Sequence, residues 1–184
     1  MDTNCMTVSR FILEKQKQFP SASGELTTLL TALLTSIKAV GNAVRRAGVF
    51  KMYGLAGSSN VTGDDQKKLD VLSNDLFINM LTSSYAVRAM VSEENEDVIL
   101  VDSSKRGKYM VVFDPLDGSS NIECLASIGS IFGILKSTSE NDVDVLKPGN
   151  EYVAAGYTIY GSATFLVLAL QDCGVHGFMY DPVL

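Results

Sequence analysis

The hydrophobic pattern of this chain changes its period once, near residue 85, and that change constrains the fold more than any other feature. Before it, apolar residues recur at steps of three and four, the period of an amphipathic helix. Residues 25–47 are the clearest case, since Glu25 in the first turn and Arg45 and Arg46 in the last suit the helix dipole. The same period predicts helices at residues 6–18 and 67–84. The predicted buried positions are Leu26, Leu29, Leu30, Leu33, Leu34, Ile37, Val40 and Val44, then Leu69, Leu72, Leu76, Ile78 and Leu81.

After residue 85 the chain consists of short apolar runs bounded by glycine or polar residues, which are typical of strands. Helices first and strands afterwards predict an α+β fold, with N-terminal helices packed on a largely antiparallel sheet. We find no linker and predict a single domain over residues 1–184, although the last run leaves a sheet edge uncovered, so we expect a truncated domain. The predicted strands are residues 87–91, 98–101, 109–113, 128–135, 152–160, 164–170 and 175–180, with tight turns at 161–162 and 172–174.

Charge and cysteine content exclude several classes of function. The net charge is −6 and no basic block occurs, so neither nucleic acid nor a membrane surface is an expected partner. The N-terminal residues show no basic n-region followed by an apolar h-region, so we expect no secretory signal. The longest apolar run, residues 165–170, is far too short to span a bilayer. Three widely spaced cysteines are an odd number and fit a reducing compartment. We therefore expect a cytoplasmic protein.

One polar stretch interrupts the helical half of the chain. Residues 53–66, YGLAGSSNVTGDDQ, contain three glycines and little to bury. This composition predicts a mobile loop between two helices.

The stretch VVFDPLDGSSN, residues 111–121, contains the candidate functional residues. An apolar strand ends on Asp114 and Asp117, and Pro115 keeps the residue before it extended. A turn through Pro115 and Leu116 would bring both carboxylates to one side, giving a hard-oxygen site for Mg²⁺ or Mn²⁺. The alternative is that acids simply end strands and solvate loops, which is our interpretation of Glu96, Asp97, Asp142 and Asp144.

The residues after the two aspartates are small and rich in hydrogen-bond donors. Gly118, Ser119, Ser120 and Asn121 leave backbone amides accessible, and a helix beginning near Ser120 would attract an anion. A divalent cation beside such donors is what a phosphate ester needs. The sequence therefore predicts a metal-assisted phosphate site.

These residues also carry a family resemblance. DPLDGSSN resembles the signature of the lithium-sensitive sugar phosphatase and inositol monophosphatase superfamily. The segments GELTTLL, YGLAGSSNVTGDDQKKLDVLSNDL, VSEEN, KRGKYMVVFDPLDGSSN and AAGYTIYGSAT resemble animal fructose-1,6-bisphosphatases. The resemblance covers almost the whole chain and about the N-terminal half of a family member. It implies the layered fold of the sugar phosphatases.

The resemblance also implies a set of site residues. Two to three Mg²⁺ or Mn²⁺ ions would be bound by Asp64, Glu93, Asp114, Asp117 and the carbonyl of Leu116. Asp70 and Glu94 would be catalytic acids that activate the attacking water, and Asp64, from the loop, would be catalytic as well as a metal ligand. The 1-phosphate would be bound by Asp117, Gly118, Ser119, Ser120 and Asn121. Residues 48–68 would be the family's dynamic loop.

The resemblance further implies an allosteric AMP site far from the metals. From the residues alone, 24–27 would be a plain helix N-terminus. This chain has Lys136 and Ser23 where the family has arginine and threonine, and lysine loses the bidentate fork to phosphate. The implied AMP-site residues are Ile12, Leu13, Glu14, Lys15, Gln16, Ser23, Gly24, Glu25, Leu26, Thr27, Lys108, Tyr109 and Lys136.

The function implied is Mg²⁺-dependent hydrolysis of the 1-phosphate of fructose 1,6-bisphosphate to fructose 6-phosphate in gluconeogenesis, inhibited by AMP. The family forms homotetramers, and its second half supplies a further metal carboxylate and the contacts to the sugar and the 6-phosphate. The alternative is a truncated, inactive paralogue that binds AMP or full-length subunits. A phosphatase of another substrate in the superfamily fits less well, because the AMP segment and the long loop are both present.

Overall fold

The change of period near residue 85 separates helices from sheet in the structure as well. The computed structural model describes residues 4–47, 55–59, 65–124, 126–139 and 144–180. The helices are α1 (Val8–Gln16), α2 (Glu25–Arg46) and α3 (Lys68–Thr82). The strands are β1 (Leu55–Ser59), β2 (Asp65–Lys67), β3 (Val87–Ser92), β4 (Ile99–Leu100), β5 (Tyr109–Asp117), β6 (Ile128–Lys136), β7 (Ala154–Tyr160), β8 (Thr164–Leu170) and β9 (Gly174–Tyr180).

Seven strands form one sheet in the order β4-β3-β5-β6-β7-β8-β9. Every neighbouring pair is antiparallel except β3 and β5, which are parallel. The prediction of helices on a largely antiparallel sheet is therefore confirmed. Because β3 and β5 are parallel, their carboxyl ends meet at the same edge of the sheet.

The main core lies between the helices and one face of the sheet. The predicted positions of α2 are buried or pack partly against this core. In α3, Leu69 and Leu81 are fully buried, but so is Phe77, which the sequence pattern did not select. The Phe77 ring stacks on Phe113 of β5, with ring centroids 5.1 Å apart. This contact packs the middle of α3 against the middle of β5.

Helix α2 is long and apolar enough to cross a membrane by length and composition alone. Its apolar residues instead pack in the core against the sheet, as in the core helix of many globular proteins. The helix is therefore weak evidence for membrane insertion.

The opposite face of the sheet is only partly covered. A small cluster of Ala89, Met110 and Leu135 is buried there, with Tyr152 and Val145 packed on it. Farther along β6 to β9, six apolar side chains are between 39% and 72% exposed. They are Ile131, Tyr157, Ile159, Phe165, Val175 and Met179, and we call them the outer face.

The prediction of a loop over residues 53–66 was wrong for part of that stretch. Strands β1 and β2 pair antiparallel, with Leu55 opposite Lys67 and Ser59 opposite Asp65. A ladder uses backbone groups, so residues with little to bury can still form one. Residues 48–54 and 60–64 lie outside the described residues, and with them Asp64 and most of the predicted dynamic loop.

Candidate functional site

Asp114 and Asp117 lie on the same face of β5 because the strand contains a β-bulge between them. Asp114 is opposite Ile131 and Asp117 is opposite Gly129, so three steps on β5 match two steps on β6. In a regular strand residues three apart point to opposite faces, and the extra residue restores the same face. Strand β5 continues to Asp117, so the turn predicted through Pro115 and Leu116 was wrong in form, although it correctly brought the carboxylates to one side.

A buried hydrogen-bond chain holds the bulge. Ser130 Oγ donates to the carbonyl of Pro115 at 2.7 Å and lies 2.8 Å from the hydroxyl of Tyr160. Asp114 Oδ1 accepts from the amide of Leu116 at 3.0 Å. The sequence analysis did not select Ser130 or Tyr160. A serine on the core side of an apolar strand could have indicated Ser130, because a buried hydroxyl needs a hydrogen-bond partner.

Glu93 and Asp70 come to the same end of the sheet from other elements. The amide of Glu93 donates to the carbonyl of Phe113 at 3.1 Å, which sets Glu93 beside Asp114. Asp70, in the first turn of α3, is 2% exposed, and its Oδ2 accepts from Ser119 Oγ at 3.1 Å. Burial raises the pKa of Asp114 to about 6, and the charges of Asp117, Glu93 and Asp70 add to the rise. The four carboxylates therefore form one acidic cluster.

The turn that carries Glu93 and Glu94 is fixed by amide and hydroxyl side chains. Ser92 Oγ donates to Asn74 Oδ1 at 2.7 Å, and Asn74 Nδ2 donates to Asn95 Oδ1 at 2.8 Å. Asn74 is one helical turn after Asp70 on the buried side of α3, so one helix face serves both the acidic cluster and this turn. The signal that sequence reasoning passed over was the spacing of four that places Asp70 and Asn74 on the side of the helix that also buries Leu69, Phe77 and Leu81.

The donor-rich segment after Asp117 forms a short 3₁₀ helix, Ser119–Cys124. Gly118 has φ +77°, a backbone conformation that glycine adopts without strain, and its carbonyl accepts from the amide of Asn121 at 2.9 Å. The helix predicted near Ser120 is thus present as a 3₁₀ helix of six residues, which presents a weaker terminal dipole than a long α-helix. Ser120 and Asn121 are exposed.

The cluster fits a hard divalent cation by donor type. Its donors are carboxylate oxygens, and the raised pKa of Asp114 reflects charges that a cation would stabilise. Within the described residues, no three His, Cys, Asp or Glu side chains form a ready metal cage. Mg²⁺ does not need a cage of three protein ligands, since it keeps several waters and takes one or two carboxylates together with substrate phosphates.

A second site lies at the other end of β5. A cavity of about 310 Å³ opens between α1, the start of α2 and the sheet. Three lysines, Lys15, Lys108 and Lys136, line it, and Thr27 Oγ1 donates to Gln16 Oε1 at 2.5 Å in its wall. The other residues of the implied AMP set that line the cavity are Ile12, Ser23, Gly24, Leu26 and Tyr109.

Three residues of the implied AMP set lie elsewhere. Leu13 is 52% exposed on the outside of α1, and Glu14 pairs with Arg10 at 3.0 Å. Glu25 is not part of the lining, but its carboxylate contacts two residues that are, Lys108 and Ser23. The sequence analysis did not select the residues that line the opposite wall of the cavity, which are distant in sequence from α1 and α2. They are Val153, Leu170, Gln171, Asp172 and Cys173.

Comparison with known proteins identifies relatives over nearly the whole chain. Residues 6–184 match the family model described as fructose-1,6-bisphosphatase, N-terminal domain. The chain is 59% identical over 184 residues to fructose-1,6-bisphosphatase 1 of Mus musculus, covering 98% of this chain and 54% of that protein. It is 55% identical over 185 residues to the cytosolic fructose-1,6-bisphosphatase of Arabidopsis thaliana, covering 99% and 54%.

A solved structure has the same fold. The holo form of Leishmania major fructose-1,6-bisphosphatase superposes with a TM-score of 0.89 at 41% identity, covering 97% of this chain and 56% of that one. The chain spans about half the length of the relatives it matches.

Proposed function

The chain belongs to the fructose-1,6-bisphosphatase family, and on that premise we propose that it carries the metal and 1-phosphate half of an active site for fructose 1,6-bisphosphate. The proposal rests on the convergence of four carboxylates at the carboxyl ends of β3 and β5. These carboxylates belong to Asp70, Glu93, Asp114 and Asp117. Because the chain spans 54% of the mouse relative, we assign turnover to a protein of that relative's length.

Glu93, Asp114, Asp117 and the carbonyl of Leu116 would hold two to three Mg²⁺ or Mn²⁺ ions, with Asp64 as a further ligand. When bound, such a cation polarises phosphoryl oxygens and lowers the pKa of water. The sugar and 6-phosphate contacts would come from the part of the relatives that this chain does not cover.

The chain's own residues orient the reacting groups. Ser119, Ser120 and Asn121 bind the 1-phosphate, and Asp70 orients the Ser119 hydroxyl by accepting a hydrogen bond from it. Glu94 and Asp70 accept the proton of the attacking water. A bond forms from the water oxygen to phosphorus as the bond to the sugar oxygen breaks, and the proton taken from the water balances the one that the leaving sugar oxygen gains. The products are fructose 6-phosphate and orthophosphate.

We propose that the 310 Å³ cavity binds AMP and that binding inhibits turnover. Lys108 and Lys136 supply positive charge for the phosphate, and Ser23 supplies a hydroxyl donor. Apolar residues such as Ile12, Leu26 and Val153 offer a surface for the base.

A second candidate function is a non-catalytic AMP-binding or subunit-interaction protein. It is favoured by one observation: described residues of this chain line the cavity on several sides, whereas the acidic cluster contains no closed metal cage among them. In either case we expect a cytoplasmic protein, as for the Arabidopsis relative named cytosolic, that assembles into homotetramers.

The test uses a chimera in which this chain is continued by the part of the mouse relative beyond the matched region. We expect Mg²⁺-dependent release of phosphate from fructose 1,6-bisphosphate, and a loss of about a hundredfold or more in Asp114→Asn or Asp117→Asn. Asp97→Asn, at an exposed carboxylate, is the matched control. Retention of a tenth of the rate in either cluster variant would refute the assignment. An inactive chimera that still binds AMP would favour the second candidate.

A further inference from the structure

A carboxylate beside the cavity already engages two of the residues that line it, Lys108 and Ser23. Glu25 Oε2 accepts hydrogen bonds from Lys108 Nζ and from Ser23 Oγ. Lys108 Nζ also lies 3.0 Å from Ser23 Oγ, so the three groups form one triangle. The Glu25 side chain is 41% exposed and that of Lys108 is 36% exposed, so a ligand can reach both.

The contact stabilises both charges. The hydrogen bond from Lys108, followed by that from Ser23, lowers the pKa of Glu25. The hydrogen bond to Glu25 raises the pKa of Lys108. Near neutral pH the pair is therefore an ammonium and a carboxylate, and the carboxylate is the anion that Lys108 binds.

The backbone around this triangle also favours an anion. Helix α2 begins at Glu25, and Gly24 before it has φ +87° and supplies no side-chain cap to the first amides. Lys136 lines the same cavity and is close enough for its charge to lower the pKa of Glu25. A phosphate that approached Lys108 and Ser23 would meet donors already engaged by a negative group.

We propose that Glu25 is a built-in competitor for the phosphate subsite of this cavity. A phosphate monoester must displace the Glu25 carboxylate from Lys108 and Ser23, so Glu25 lowers the affinity for every anion. A phosphate dianion carries up to twice the charge of the carboxylate and outcompetes it, whereas a ligand with a single carboxylate does not. The inference rests on the proposed AMP site and adds the residue that limits its affinity and charge selectivity.

The experiment measures AMP binding to the chimera by calorimetry. Glu25→Gln keeps the shape of the side chain and removes its charge, and we expect AMP to bind about threefold to tenfold more tightly. Glu151→Gln, at an exposed carboxylate outside the cavity, should leave the affinity unchanged. Glu25→Ala should act in the same direction as Glu25→Gln.

A double-mutant cycle separates competition from a general effect of charge. Lys108→Met removes the donor for which carboxylate and phosphate compete, so Glu25→Gln should have less than a twofold effect in that background. Equal or weaker AMP binding by Glu25→Gln, or the same gain with and without Lys108, would overturn the proposal.

Failure of the AMP assignment is distinguishable from failure of this inference. If neither wild type nor Glu25→Gln binds AMP, the proposed AMP site is wrong, and a titration with orthophosphate followed by phosphorus NMR decides the competitor role. Binding of orthophosphate to Glu25→Gln and not to wild type supports competition for an anion of another kind. Binding to neither, or equally to both, contradicts it.

Discussion

The two ends of strand β5 differ in charge and in completeness. Its amino end, at Tyr109, enters a cavity lined by lysines, and its carboxyl end, at Asp117, lies in a cluster of carboxylates. The ends are about 23 Å apart, since they lie opposite positions seven residues apart on β6 and a strand rises about 3.3 Å per residue. The cationic end is lined by described residues of this chain from α1, α2 and the sheet, whereas the described residues of the acidic end form no closed metal cage. One strand thus joins a cavity with three lysines in its lining to a cluster of four carboxylates.

The largest expected effect comes from testing the 184-residue chain without the second half. We expect turnover more than a thousandfold below that of the chimera, because remote contacts to the substrate are absent. AMP affinity should stay within about tenfold of the chimera, because the walls of the cavity are present. Phosphate release and calorimetry give the two numbers. If the isolated chain lost turnover and AMP affinity by equal factors, the two ends of β5 would not differ in how far they depend on the second half.

The same sample tests the outer face. Ile131, Phe165 and Met179 lie among the exposed apolar side chains of β6 to β9, and β9 has one unpaired edge among the described strands. We expect the isolated chain to associate, which light scattering detects. A monodisperse, active monomer would contradict both this expectation and the preceding one.

The next effect concerns the anchor of the cationic end. Arg88 is 8% exposed, and its guanidinium donates to the carbonyls of Gly107 and Ser139 and to Ser137 Oγ. Gly107 precedes Lys108 and Ser137 follows Lys136, so one side chain holds the backbone beside both lysines. Arg88→Met should lower the free energy of unfolding by about 2–3 kcal/mol, because partly buried hydrogen bonds from a charged donor are lost.

Arg88→Met should also weaken AMP binding while leaving the Mg²⁺ requirement unchanged, since the acidic cluster is at the other end of the sheet. Arg106→Met is the matched control, because Arg106 donates to the carbonyl of Val101 and does not line the cavity. Urea unfolding and calorimetry measure the two effects. An equal loss of stability in both variants would remove the special role of Arg88.

A smaller effect is expected from the charge of Asp114. Its pKa is raised from 3.8 to about 6, so ionisation destabilises the metal-free fold, and stability present below pH 4 is lost as pH rises through 6. With allowance for solvent screening, we expect Asp114→Asn to be about 1–2 kcal/mol more stable than wild type at pH 7 without Mg²⁺. Thermal unfolding at pH 4 and pH 7 measures it.

With Mg²⁺ present, wild type should become more stable than Asp114→Asn, because Mg²⁺ binds the carboxylate and not the amide. Asp97→Asn provides the control for a change of net charge. A wild type whose stability does not respond to Mg²⁺ would contradict the cation site, and so would an Asp114→Asn variant that Mg²⁺ stabilises equally.

The smallest effect concerns Lys136, where the family has arginine. Lys136→Arg would add a bidentate fork toward phosphate, and we expect AMP to bind up to about tenfold more tightly. Lys15→Arg, on another wall of the same cavity, is the comparison variant. Equal inhibition constants for wild type and Lys136→Arg would mean that position 136 does not contact the phosphate.

The sequence by itself determined the local structure and the chemistry of the residues. The period of α2 predicted its buried side, including Leu29 and Leu33, because burial follows from the 3.6-residue turn alone. The runs after residue 85 predicted the strands of the sheet to within two residues at each end, with the exception of β5, which continues to Asp117. The acids at the strand ends and the donors after Asp117 were readable as residue types.

Only the tertiary structure decided how those residues meet. Asp114 and Asp117 share a face because β6 imposes a bulge on β5, and a bulge depends on the hydrogen-bond register with a partner strand. Asp70 reaches the cluster because α3 docks through Phe77 on Phe113. Glu25 faces Lys108 across 83 positions of the chain. Local periodicity is set by neighbouring residues, whereas register and docking depend on contacts between distant segments, which no short window of sequence contains.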